Sequence, residues 1–131
     1  MAILRWGLLI GGLVIIADLG SQVIDQRVTT PEVTNAVNLI DYIVNIVLFS
    51  VVGAIVVRET GQVTFGMLAG LVAGLVDGVV VATAASMAAL QPNLGPPEEL
   101  ILQNVVLGTF FAAISAAVGR IILRRSGPRS P

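Results

Sequence analysis

Four long apolar stretches, separated by short polar breaks, take up nearly the whole chain. They cover residues 3–24, 36–57, 63–90 and 100–123. Each is long enough to cross roughly 30 Å of hydrocarbon, which takes about 20 helical residues. An open strand cannot cross lipid, because its edge N–H and C=O groups would have no partners. The expected fold is therefore all-α: a polytopic membrane protein with four transmembrane helices in an up-down-up-down bundle, forming one integral membrane domain over residues 1–131. Composition agrees with this. Of the 131 residues, 56% are hydrophobic and only 11% charged, less than half the roughly 25% of a soluble domain. That balance excludes an ordinary soluble enzyme and a disordered tail. A net charge of −1 with no basic run also excludes a nucleic-acid partner.

The breaks carry recognisable helix signals. Thr30-Pro31-Glu32 reads as an N-cap, a proline at the first helical position and an acid in the first turn. Gly95-Pro96-Pro97-Glu98-Glu99 repeats that pattern before the fourth stretch. Gly61 suits a helix C-terminus, and Gly127-Pro128 stops the last helix. The short connections make neighbouring helices antiparallel.

Arginine placement gives an orientation. Arg5, Arg58, Arg120, Arg124, Arg125 and Arg129 fall on the side that holds both termini and the middle loop; Arg27 alone falls on the other. The expectation is cytoplasmic N- and C-termini in a bacterial inner or plasma membrane, with residues 124–131 as a short basic tail. Trp6 and Phe65 would mark the cytoplasmic interface. Asp18 and the lack of a small-residue cleavage site argue that the first stretch is an uncleaved span rather than a signal peptide.

A shift of 59 residues lays the first half of the chain on the second. Gly7 falls on Gly66, Gly11 on Gly70, Asp18 on Asp77 and Asn45 on Asn104, and Trp6 falls on Phe65. The polar pairs carry the weight, because an alphabet of Val, Leu, Ile, Ala and Gly matches itself by chance. Two parallel helical-hairpin repeats, related by an axis along the membrane normal, would produce this pattern; coincidence is the alternative.

Depth follows from a rise of 1.5 Å per residue. Asp18 lies about 22 Å from the start of its helix, and Asn45 about 20 Å from Arg58. If the halves correspond, Asp77 and Asn104 fall at the same level, and four polar side chains form one layer. Asn38, Asp41 and Asn45 share a helix face by their spacing, as do Asp18, Gln22 and Asp25. A charged aspartate at the centre of a span costs roughly 2.5–3.5 kcal/mol. No arginine lies at that depth. Each such aspartate must take up a proton, accept from an amide, or bind a cation. Asp18, Asp77, Asn45, Asn104 and Asp41 are therefore the candidate ion-binding or relay residues. Interhelical hydrogen-bond glue is the competing role.

Gly66, Gly70, Gly74 and Gly78 recur every fourth residue and make a small-residue strip that favours close helix packing, within the chain or against a second copy.

The chain has no cysteine, histidine or lysine; all seven basic residues are arginine. Thiolate or imidazole metal sites, Schiff bases and the commonest general base are absent. We therefore expect no enzyme, no cofactor and no metal site. Expected partners are membrane lipids, with a homo-oligomer or other membrane subunits beside them. Two functions fit: an oligomeric protein translocating a cation, a proton or a small solute, or a non-catalytic accessory or scaffold subunit of a larger membrane complex.

Overall fold

The computed structural model describes residues 1–25, 27, 30–88 and 96–125, with side chains at 87 and 88 excepted. Leu90 and Gly95 lie outside the described residues. So does the 126–131 part of the basic tail, with Gly127, Pro128 and Arg129. The described residues form four α-helices: α1 (Ala2–Asp25), α2 (Pro31–Thr60), α3 (Val63–Ala88) and α4 (Pro97–Arg125). All four are long and apolar enough to cross a membrane. With 24 to 30 residues each, they run about 36–45 Å.

The helix ends follow from local chemistry. Pro31 opens α2 with Thr30 extended at the N-cap position. The Thr30 hydroxyl makes no cap hydrogen bond, so the start rests on the proline, whose missing N–H costs nothing there. Gly61 closes α2 at φ 69°, and its N–H donates to the Val57 carbonyl at 2.7 Å. That left-handed conformation favours glycine. Glu98 and Glu99 sit in the first turn of α4, and Arg124 and Arg125 in its last. Both placements suit the helix dipole.

Helix α1 packs on α2 and α3, α4 packs on the same two, and α2 touches α3; among the described residues α1 and α4 do not meet. A two-fold axis exchanging the two halves would convert the α2–α3 contact into an α1–α4 contact. These contacts do not follow such an axis.

Small residues set the helix spacing. Gly7 faces Ala69 and Val72, and Gly11 faces Ala73 and Val76. Gly66 faces Ala116 and Gly53, Gly70 faces Gly108 and Ala112, and Gly74 faces Asn104. A Cβ at Gly53, Gly70 or Gly74 would collide with a backbone carbonyl of α4. Around this seam lies an apolar core of Ile10, Val14, Phe49, Val52, Val56 and Ala73 with their small neighbours. The outer face is apolar as well: Ile16 is 70% exposed and Phe110 56%. An apolar exterior over an interior sealed by small residues is how helices pack in lipid.

At the open end of α1, Arg5 Nη2 donates to Glu59 Oε1 at 2.8 Å, and Trp6 Nε1 donates to the same oxygen at 2.9 Å. The Arg5 guanidinium also lies 4.8 Å from the Trp6 ring centre. These contacts tie the start of α1 to the end of α2.

Candidate functional site

Several hydroxyls along the helices are spent on their own backbone. Thr60, Thr83, Ser86 and Thr109 each donate to the carbonyl four residues back. That is the usual way for a short hydroxyl to be carried inside an apolar helix. The aspartates and asparagines behave differently.

Asp18 is 8% exposed. Asn45 reaches it from α2, with Nδ2 donating to Asp18 Oδ1 at 2.7 Å. A carboxylate only accepts, so the amide nitrogen must face it. That turns Asn45 Oδ1 away, and this oxygen is buried without a partner. On α3, Asp77 is wholly buried and neither of its carboxyl oxygens has a partner. Asp77 and Asp41 both lie within electrostatic reach of Asp18. Asn104 faces Gly74 and Gly78, the glycines that flank Asp77 in sequence. The structure therefore places Asp18, Asn45, Asp77 and Asn104 in neighbouring positions on four helices.

A cavity of about 320 Å³ opens beside them. Its α1 and α2 sides carry Asp18, Asp25, Asn38, Asp41, Tyr42 and Asn45. Its α3 and α4 sides carry Val81, Leu100 and Leu107, with Gln103 and Asn104 among them. Phe49, 1% exposed, lies where the cavity meets the apolar core. Three carboxylates line the space and no arginine does. Arg27, at this end of the chain, is exposed. Asp77 does not line the cavity; it interacts with Asp18, which does.

Four buried side-chain atoms among the described residues lack a hydrogen-bond partner: Asp25 Oδ1, Asn45 Oδ1 and both oxygens of Asp77. All four are acceptors, and all belong to this region. A buried acceptor left unmade costs roughly 1–3 kcal/mol, so the surplus points one way. The region has buried acceptors that no neighbouring donor meets, and no arginine lines it. No group of three or more His, Cys, Asp or Glu among the described residues is arranged to hold a metal ion.

Of the sequence-predicted residues, Asp18, Asp41, Asn45 and Asn104 thus lie around one cavity, with Asp77 next to it. Ser21, Tyr42 and Gln103, not predicted from the sequence, line it too. Tyr42 lies four residues after Asn38 and three before Asn45, so its face was readable. Gln103 is next to Asn104 and has no rare-residue counterpart in the first half. The strip of Gly66, Gly70, Gly74 and Gly78 lies against α4 within the chain and not at the cavity.

Comparison with known protein families, with curated proteins and with solved structures finds no match.

Proposed function

We propose that the chain is a four-span membrane protein that binds a cation or relays a proton at Asp18 and Asp77. Asn45 and Asn104 orient the carboxyls, and Asp41 sits nearer the mouth of the cavity. The observation that carries this reading is the surplus of buried acceptors: Asp77, wholly buried, has no donor on either oxygen. A charge taken out of water without a partner is too costly to hold, so the group is neutralised. A proton or a cation does this equally well.

The same reading includes an up-down-up-down bundle. Its support is that Arg5 meets Glu59 while Asp18 meets Asn45, so the α1 numbers rise as the α2 numbers fall. The arginine count supports cytoplasmic termini; in that orientation the cavity mouth, near Asp25 and Asn38, faces the far side. Phe49 and the glycine seam close the cytoplasmic half. Four helices are too few to enclose a wide pore, so the working form is a homo-oligomer.

The experiment is flux into proteoliposomes, read with a trapped pH dye and with a sodium-sensitive dye. Wild type carries protons or cations; the Asp18→Asn plus Asp77→Asn protein, folded and inserted to the same yield, does not. Equal flux from both proteins overturns the reading.

A second reading, an accessory subunit, has its own support. An open apolar groove of about 460 Å³ lies between α2 and α4, lined by Val47, Val51, Ala54, Val118 and Gly119 among others. Stoichiometric foreign subunits in gently extracted native complexes would favour it over transport.

A further inference from the structure

We infer that the cavity's ligand is a small amphipathic organic cation, a primary ammonium on a short apolar body, and not a bare inorganic ion. This rests on the cation-site reading above and narrows it.

The first argument is size. A desolvated inorganic cation is gripped by converging oxygens, six to eight of them at about 2.3–2.6 Å for calcium. No such acidic group exists among the described residues. The cavity instead holds about 320 Å³, room for roughly ten waters at about 30 Å³ each. It sits at the small end of the roughly 300–1,000 Å³ range of organic ligand pockets.

The second argument is the distribution of the lining. The carboxylates, Asp18 and Asp41 among them, all come from α1 and α2; Gln103 and Asn104 add amides from α4, and Val81, Leu100 and Leu107 add apolar surface. A hydrated ion would gain nothing from those apolar side chains. A ligand with a charged head and an apolar body satisfies both kinds of surface.

The third argument is donor count. Asp18, Asp25 and Asp41 line the cavity and no arginine does. An ammonium has three donors and no acceptor. It can donate to these carboxylates, which sodium would meet only by shedding water into a half-apolar space. A phospholipid with an ethanolamine headgroup carries the same chemistry as a free alkylamine, and both sources are tested.

The test is equilibrium binding to the full chain in phosphatidylglycerol nanodiscs, by titration calorimetry. The probes are n-butylammonium, n-butanol (the same body without charge) and sodium (charge without body). The expected result is saturable n-butylammonium binding at least about tenfold tighter than either comparison, a difference of about 1.4 kcal/mol. Asp18→Asn and, separately, Leu107→Asn should each weaken it about tenfold or more. Asp41→Asn is a milder second variant should Asp18→Asn fail to insert. Nanodiscs containing phosphatidylethanolamine distinguish the sources: competition assigns the site to the headgroup, and unchanged binding to a free amine. Sodium binding as tight as n-butylammonium, abolished by Asp18→Asn, would overturn the organic-cation inference and leave the cation site standing. No binding of either cation would overturn both.

Discussion

Replacing Gly66 with alanine tests the packing on which the cavity depends. A Cβ at Gly66 would lie 2.6 Å from the Ala116 Cβ and 2.9 Å from the Gly53 carbonyl oxygen. Ordinary contact begins at 3.4 Å, so relief of the first clash alone requires α3 and α4 to separate by 3.4 − 2.6 = 0.8 Å. Both neighbours are rigid: one is a methyl with no rotamer and the other is backbone. Overpacking of this kind costs about 1–3 kcal/mol. Against that, alanine gains about 0.5–1 kcal/mol over glycine in a helix. The net expectation is a loss of about 0–2.5 kcal/mol, centred near 1. Gly12 is the control, since nothing lies within 4 Å of a Cβ there. Gly12→Ala should feel only the helix preference and be neutral or more stable. The assay is reversible unfolding in mixed micelles, followed by the fluorescence of Trp6, the chain's one tryptophan. Gly66→Ala as stable as Gly12→Ala would refute the claim that α3 packs tightly here against the Ala116 methyl of α4 and the Gly53 backbone of α2.

Further expectations follow from the site and its surroundings. Asp77→Asn removes a buried carboxyl that no donor meets and that lies beside the Asp18 carboxyl, so it should not destabilise the fold while abolishing flux; a large loss of stability would mean that Asp77 is packing glue. Asn45→Ala strips the amide from Asp18, and a double-mutant cycle with Asp18→Asn should return a coupling of about 0.6–1.7 kcal/mol, the range for polar contacts between membrane helices. Glu59→Gln weakens an ion pair whose side chains are 57% and 38% exposed; the measured cost in the same unfolding assay should stay below about 1 kcal/mol. Because the chain has no cysteine, single cysteines at Arg27 and at Gln62 report topology cleanly: a membrane-impermeant maleimide on intact cells should label the first and spare the second.

The elements were legible because their signals were strong and local. Pro31 and Gly61 bound α2 where the sequence places its ends, since a fixed φ and a left-handed cap are properties of single residues. Depth counting along two rigid helices set Asp18 and Asn45 at one level, where a hydrogen bond joins them. What the sequence concealed was the partner of each face. Every helix here is apolar nearly all round, so periodicity does not say which side meets protein. The Gly66–Gly78 strip announced a close contact without naming α4. The 59-residue correspondence gave Asp77 the same depth as Asp18 but carried the expectation of a two-fold axis, which the contacts do not follow: among the described residues α1 and α4 do not meet. Tyr42 and Gln103 went unread because neither is rare enough, taken alone, to mark a site.

The most direct test of the central claim is carboxyl labelling with a lipid-soluble carbodiimide, mapped by peptide mass spectrometry. The account predicts adduct on Asp18 or Asp77, reduced when sodium or n-butylammonium is added before the reagent. Adduct unchanged by either cation, at protein folded and inserted as wild type, would contradict a cation site at these aspartates.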